Sequence, residues 1–239
     1  MVETMHFVIT CEHGGNRIPP AYRQYFHGRE GLLQTHRGYD AGALAMAREL
    51  GAALTAPLFV STTSRLLIDL NRSIGHPRLY SEATRDAPAT VRREILHRYY
   101  LPHRDRAEGD IAAAVRRGLR VIHIASHSFT PELDGEVRNA DIGLLYDPVR
   151  RGEADLCRRW RSAIAAQAPD LRVRRNYPYA GKSDGLTAYL RRRFPADAYA
   201  GIELEINQKH VLGNGSRWRT LRDTVTRALR QAVADIANG

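Results

Sequence analysis

The chain is poor in cysteine: Cys11 and Cys157 are the two cysteines among 239 residues. Two cysteines are too few for a disulfide framework or a cysteine-rich zinc module. Long apolar runs are also missing, since no stretch approaches the roughly 20 residues that span a bilayer. The first ten residues show no basic leader followed by an apolar segment, so no signal peptide is predicted. We expect a cytoplasmic protein in a reducing compartment, with no membrane partner.

Acidic residues are in the minority, because 26 Asp and Glu face 36 Lys and Arg, which gives a formal net charge of +10. A basic surface attracts phosphate regardless of sequence, so a non-catalytic nucleic-acid-binding module is one alternative. The arginines are spread through amphipathic segments at 91–100, 154–164 and 188–194, which favours solvated helix faces. Nucleic acid is therefore the less favoured partner. With 43% hydrophobic residues, the chain can fill a core, which excludes a disordered or fibrous protein.

Short β-branched runs alternate with helical patterns, which predicts an α/β protein with helices on both faces of a layered sheet. No repeat or linker interrupts the pattern, so residues 1–239 are predicted to form one domain. Asp40 is a candidate N-cap, and Pro102 is a possible break inside a long helical stretch. The predicted strands are 6–11, 57–62, 66–70, 120–126, 141–146, 171–175 and 200–206, and the predicted helices are 40–54, 88–117, 153–167, 185–194 and 216–237.

Two histidine-containing segments stand out at predicted strand ends, where ligands bind in such sheets. In the segment 11–16, two glycines allow a sharp turn and close approach to a ligand, and His13 projects from the strand end. In the segment 121–128, period-two alternation places His123 and His127 on one face. His127 is the better metal-ligand candidate, because His123 lies inside the strand. Neutral imidazole suits zinc, although a hydrogen-bonded turn histidine also fits His13.

Two further segments carry charged or amide side chains that could take part in binding or catalysis. Asp69 and Asn71 share one face of the predicted strand 66–70, with Arg65 before it and Arg72 after it. An arginine fork grips carboxylates and asparagine donates to an oxyanion, although an ion pair between Asp69 and Arg72 is the structural alternative.

In the segment 201–208, Glu203 and Glu205 face opposite to the apolar Ile202, Leu204 and Ile206. Burying two carboxylates on one face is costly unless they meet cations or a metal, so one of them is a candidate general base. An edge strand with a solvated outer face remains the alternative.

The turn-rich segment 176–187 precedes a predicted helix, and Lys182 and Thr187 could receive an anionic group there, although such loops are also ordinary connectors. His97 and His103 lie in an arginine-rich helical stretch and are predicted to be surface residues. Cys11 could be read as a nucleophile with a histidine partner. That interpretation leaves the acidic strand and the arginines without roles, so it ranks below metal chemistry.

In order along the chain, these segments resemble the N-formylglutamate amidohydrolase (deformylase) family. The stretches that carry the resemblance are CEHGGNRIP (11–19), THRGYDAGALAMARELGA (35–52), SRLLIDLNRS (64–73), SHSFTP (126–131), NYPYAGKSDGLT (176–187) and GIELEINQ (201–208). The family is similar to aspartoacylases and zinc carboxypeptidases. The resemblance therefore implies a three-layer αβα fold with a mixed central sheet, like that of the zinc carboxypeptidases (phosphorylase/hydrolase-like).

The resemblance also implies roles for individual residues. His13, Asn16 and His127 correspond to ligands of zinc or another divalent metal, and Glu205 corresponds to the catalytic base. Where the relatives have a ligating glutamate this chain has Asn16, so Glu12 or water could complete the shell instead. Asn71 and Arg72 correspond to substrate contacts. Arg65, Lys182 and Thr187 are candidates for a second substrate carboxylate, and Asp40 or Asp69 could orient a ligand histidine.

The expected activity is metal-dependent hydrolysis of a linear amide bond in a small acidic N-acyl amino acid. The leading substrate implied by the resemblance is N-formyl-L-glutamate, hydrolysed to formate and L-glutamate in histidine catabolism. A metal-dependent amidase or peptidase acting on another acidic N-acyl substrate is the alternative. The oligomeric state is left open.

Overall fold

The computed structural model describes residues 5–213 and 215–237. A six-stranded sheet runs through the centre in the order β2-β1-β3-β8-β6-β7. Most neighbours are parallel, but β6 runs antiparallel to β8, which makes the sheet mixed. A separate hairpin is formed by β4 and β5. The strands are β1 (Met5–Cys11), β2 (Leu58–Val60), β3 (Arg120–Phe129), β4 (Glu132–Leu133), β5 (Glu136–Val137), β6 (Ile142–Leu145), β7 (Val173–Arg175) and β8 (Tyr199–Asn207).

Helices cover both faces of this sheet. On one face, α1 (Ala43–Leu54), α4 (Arg151–Gln167) and α6 (Gly215–Ala237) share the largest apolar cluster with β3 and β8. On the other face, α3 (Leu101–Arg116) and α5 (Leu186–Arg193) pack against β1, β3 and β8. The predicted three-layer αβα architecture with a mixed central sheet is confirmed.

Period-two alternation along the central strands separates an apolar face from a polar one. Ile124 and Leu204 belong to the cluster beneath α1, α4 and α6. The neighbours of opposite parity are polar: His123 and His127 on β3, and Glu203 and Glu205 on β8. The register pairs His127 with Glu205, so the second face of the sheet brings an imidazole next to a carboxylate.

The long helical stretch predicted at 88–117 is formed by three consecutive segments without a break at Pro102. They are α2 (Ala89–Ile95), a π-helical turn (Leu96–Tyr100) and α3, which begins one residue before Pro102. Proline is tolerated in the first turn of a helix, where its missing N–H has no intrahelical partner. The π-helical turn, which is wider than an α-helical turn, keeps the chain helical between α2 and Pro102.

Two local predictions are wrong. The segment 66–70 forms turns rather than a strand, and its leucines pack in a second apolar cluster with Tyr22, Phe26 and Ile95. A short apolar run alone does not distinguish a strand from another buried segment. Asp40 does not cap α1, because Gly42 is the N-cap residue, with φ +83°. Three 3-10 helices, Pro20–Phe26, Glu30–Gln34 and Gln208–His210, complete the described elements.

Within residues 5–213 and 215–237, none of the helices combines the length and the apolar character needed to cross a bilayer.

Candidate active site

The polar face of the sheet opens into a cavity of about 540 Å³. His13 reaches it from the turn that follows β1, while His127 and Glu205 reach it from adjacent strands. Asp40 joins them from the segment before α1, where its backbone N–H donates to the carbonyl of His13 at 2.9 Å. Residues from four separate stretches of chain therefore line one wall of this cavity.

His13, Asp40 and His127 form a buried group that could hold a metal ion, since each offers a ligand atom within 4.8 Å of the others. Asp40 Oδ2 lies 2.9 Å from His127 Nδ1 and 3.4 Å from His13 Nδ1. A tetrahedral zinc ion with bonds of ~2.0–2.2 Å separates its ligand atoms by about 3.3–3.5 Å, close to these distances. Two imidazoles and one carboxylate also leave one coordination position open. The three residues therefore fit a zinc-like ion.

Each histidine meets another carboxylate at its Nε2 atom. His13 Nε2 donates to Asp69 Oδ1 at 2.8 Å, and His127 Nε2 lies 3.1 Å from Glu12 Oε2. A carboxylate behind a ligating histidine fixes the protonated nitrogen and leaves the other nitrogen for the metal. Both rings are thereby arranged with Nδ1 directed at Asp40.

The electrostatics favour charged carboxylates in this cluster. Burial raises the pKa of Asp40, but His13, His127 and Arg65 outweigh burial and hold that pKa well below its usual range. Burial likewise raises the pKa of Asp69, and Arg65 and His13 outweigh it. The opposite holds for His127. Burial lowers its pKa, but the contacts with Asp40 and Glu12 outweigh burial and raise this pKa well above its ordinary value. A protein with so much buried negative charge needs cationic partners nearby.

Glu205 is a cavity-lining carboxylate with no hydrogen-bonding partner at one of its oxygens. Its side chain is 5% exposed, and Oε2 has no hydrogen bond within the described part of the chain. Burial raises the pKa of Glu205 to about 8, with a lowering contribution from His127 and further raising contributions from Asp40 and Glu203. A carboxyl with a raised pKa and a free oxygen in a cavity has the properties of a general acid/base.

Glu203 is held by a structural contact instead. Its Oε1 accepts a hydrogen bond from Thr187 Oγ1 at 2.7 Å, which ties β8 to the first turn of α5. Asn71 Oδ1 accepts from the backbone N–H of Leu186 at 2.7 Å. Gly185 packs beneath both groups, and a Cβ there would lie 2.8 Å from Asn71 Oδ1. Glycine at this position thus allows the loop to approach the cavity wall closely.

The two predicted arginines line the cavity, but one of them is already paired. Arg65 bridges two carboxylates, with Nη1 at 3.3 Å from Asp40 Oδ1 and Nη2 at 2.8 Å from Asp69 Oδ2. Arg72 donates through Nη1 to the carbonyl oxygen of Asp184 at 2.8 Å. Arg65 therefore orders the acidic cluster. Arg72, by contrast, forms no close ion pair with a carboxylate of the described residues.

Three residues predicted from the sequence lie away from the cavity wall. Asn16 donates its amide to Gln34 Oε1 at 3.1 Å, so the position between the histidines is taken by Asp40. Lys182 is exposed and Thr187 is fully buried against Glu203. Conversely, sequence reasoning missed several exposed or half-buried residues that line the cavity: His36, Arg37, Arg78 and Tyr179. Three of them lie in segments that the sequence analysis singled out, His36 and Arg37 in 35–52 and Tyr179 in 176–187, but no spacing pattern pointed to these residues themselves.

The structure leaves no catalytic geometry for Cys11. Its side chain is fully buried in the apolar cluster on the opposite face of the sheet, and burial raises the pKa of the thiol well above its ordinary value. A thiol that stays protonated is a poor nucleophile. His123 is a satisfied interior residue, with Thr10 Oγ1 at 2.9 Å and Tyr199 Oη at 2.7 Å, as its position inside the strand predicts.

Several solved structures are similar to this chain. The crystal structure of a gene product from Agrobacterium tumefaciens superposes with a TM-score of 0.82 at 28% identity, over 96% of this chain and 91% of that one. The N-formylglutamate amidohydrolase from Ralstonia eutropha gives 0.66 at 20% identity, over 97% and 94%. A metallo-carboxypeptidase from Burkholderia cenocepacia gives 0.44 at 14% identity, over 98% and 58%. A search of curated proteins found no match.

The family model for N-formylglutamate amidohydrolase matches residues 5–212. This range includes every residue of the buried histidine and aspartate group as well as both glutamates of β8. The chain belongs to the N-formylglutamate amidohydrolase family.

Proposed function

We propose that this protein is a metal-dependent amidohydrolase that cleaves the amide bond of a small acidic N-acyl amino acid. N-formyl-L-glutamate is the leading substrate, with formate and L-glutamate as products. The observation that carries the proposal is the convergence of His13, Asp40 and His127 beside the unpartnered oxygen of Glu205, in one cavity. Family membership supports the reaction class.

Zinc is the proposed metal, because two imidazole nitrogens and one carboxylate oxygen match its preferred ligands and leave a coordination position open. When bound, such an ion acidifies the attacking water and polarises the acyl oxygen. The carboxylates around the two histidines also favour a cation: Glu12, Asp40 and Asp69 are buried there, and Arg65 pairs with two of them. A divalent cation would compensate the remaining charge.

Glu205 is proposed to move the proton. Its unpartnered Oε2 accepts a proton from the attacking water while the water oxygen bonds to the acyl carbon. The same oxygen then delivers this proton to the amide nitrogen as the C–N bond breaks, so that formate and a free amine leave. A pKa of about 8 describes the metal-free site, where Glu205 is mostly protonated at neutral pH. A nearby cation favours the carboxylate form that a base requires.

The substrate contacts are proposed to come from Asn71 and Arg72, which also line the cavity. Arg72 grips a substrate carboxylate, and Asn71 Nδ2 donates to the acyl oxygen or to a carboxylate. Arg78, which lines the cavity and is exposed, provides further positive charge for a dianionic substrate, whereas Arg37 is paired with Glu82. Lys182 and Thr187 have no part in this arrangement, since neither lines the cavity.

The test couples metal analysis to product release. Purified protein is assayed for bound metal by elemental analysis and for formate release from N-formyl-L-glutamate, before and after treatment with a chelator. We expect a stoichiometric metal, loss of activity on chelation, and recovery on adding zinc. A panel of N-acyl amino acids of both charges identifies the substrate class. Activity that survives complete metal removal would contradict the metal-dependent reaction, and preference for neutral substrates would contradict the acidic one.

A further inference from the structure

Next to His127 lies a buried pair of residues, Glu12 and His103, that do not line the cavity and that the proposed reaction does not use. Glu12 is fully buried, and its two oxygens face two histidines. Oε2 lies 3.1 Å from His127 Nε2, and Oε1 lies 3.5 Å from His103 Nε2. His103 is 9% exposed, although its sequence context predicts a surface residue. The three side chains form a continuous row from the first turn of α3 to the metal-binding group.

The positions of Glu12 on the backbone and of His103 on its helix account for this row. Glu12 directly follows β1 and has the same parity as Val8, which packs in the cluster that contains α3 residues. His103 lies in the first turn of α3, which packs against β1 and β3. The π-helical turn before α3 inserts an extra residue and changes which side chains face the sheet. His97, six residues earlier, remains exposed.

The geometry excludes Glu12 from the metal-binding group itself. It contacts the Nε2 edge of His127, whereas Asp40 lies 2.9 Å from the Nδ1 atom of the same ring. The two nitrogens of an imidazole point in different directions, so one residue cannot serve both positions. A carboxylate at Nε2 holds the proton there and leaves the Nδ1 lone pair directed at the site.

We propose that Glu12 and His103 are positioning residues for the metal centre: Glu12 fixes the orientation and tautomer of His127, and His103 holds Glu12 in place. Asp69 occupies the equivalent position behind His13, with a 2.8 Å contact to Nε2. The two ligand histidines thus have separate carboxylates behind them. Asp69 alone lies behind His13, whereas Glu12 and His103 both lie behind His127. The second residue is needed because Glu12 is fully buried and its other oxygen requires a partner. This inference rests on the proposed metal-dependent function.

The test measures zinc affinity in the full-length protein by competition with a chromogenic chelator. The variants are Glu12→Gln, His103→Gln and the double variant, with His97→Gln as a matched control on the same helical stretch. Glu12→Gln should weaken zinc binding by about 10–100-fold, the effect of losing an outer carboxylate. His103→Gln should weaken it by less, and the double variant should lose no more than Glu12→Gln alone, since His103 acts through Glu12. His97→Gln should match the parent.

A purely structural role would give a different result. It would lower the unfolding midpoint of the metal-free protein and leave the zinc affinity of the folded fraction unchanged, and that outcome overturns the proposal. Losses that add in the double variant overturn the part assigned to His103. If Glu12→Gln does not fold, long-range ¹H–¹⁵N spectra of the zinc-loaded parent decide the matter: a protonated Nε2 on His127 supports the proposal and a protonated Nδ1 overturns it. A parent that binds no zinc instead removes the metal centre and the proposed function with it.

Discussion

Replacing Glu205 by glutamine should abolish turnover and at the same time stabilise the metal-free protein. The side chain is buried and Oε2 has no hydrogen bond in the described chain, so an isosteric amide fits without loss of a partner. Removing a general base costs about 10²–10⁴-fold in rate. That loss corresponds to roughly 3–5 kcal/mol of transition-state free energy.

The stability gain follows from the raised pKa. In the metal-free protein the pKa of Glu205 is about 8, whereas an unfolded glutamate titrates near 4.3. The folded protein therefore holds a proton that the unfolded chain releases, so the free energy of unfolding falls as pH rises between these two values. At neutral pH the penalty is on the order of 3 kcal/mol, because each pKa unit is worth about 1.4 kcal/mol. Glutamine cannot ionise and escapes this penalty.

The assay is urea unfolding of the metal-free parent and Glu205→Gln at mildly acidic and mildly alkaline pH, alongside formate release by the metal-loaded forms. The two proteins should differ little at low pH, and the variant should become the more stable one as pH rises. The exposed Glu136 offers a control, since Glu136→Gln should show no such divergence. A variant that retains turnover, or that gains no stability at alkaline pH, would refute the assignment of Glu205 as a buried base.

Three further predictions follow from individual contacts. Arg72→Ala should reduce kcat/KM by the equivalent of about 2–4 kcal/mol, with a smaller effect on substrates that lack a carboxylate, as steady-state kinetics with both substrate types would show. Asp40→Asn should weaken zinc binding, because it removes the one carboxylate among the three candidate ligands, and titration calorimetry with zinc measures the loss. Glu153→Gln should destabilise the protein by about 3–5 kcal/mol in chemical denaturation, because Glu153 is buried in an ion pair with Arg191 at 3.0 Å; an unchanged midpoint would show that this pair contributes nothing to stability.

Several elements of the fold were predictable because their patterns are local. Alternation in β3 and β8 predicts which residues share a face, and the register confirms that His127 and Glu205 lie side by side. The predicted strand at 66–70 was wrong for a related reason. Its residues are apolar enough for a strand, but a second cluster with Phe26 and Ile95 buries them as turns. A sequence pattern indicates that a residue is buried. The elements that pack around the residue determine its backbone conformation.

The candidate site was predictable only in part. His13 and His127 stand out by type and by their positions at strand ends, and Glu205 stands out by alternation. Asp40 was predicted as a helix cap or an orienting residue, yet it lies between the two histidines.

The amino-acid sequence by itself determined the layered architecture, the polar face of the sheet and the family, because these depend on periodicity and on short motifs in order. Only the tertiary structure decided which carboxylates meet which histidines. Glu12 and His103 are 91 residues apart, and Asp40 and His127 are 87 apart. No local pattern encodes a contact over such a distance; these contacts arise when β1, β3, α3 and the segment before α1 pack together.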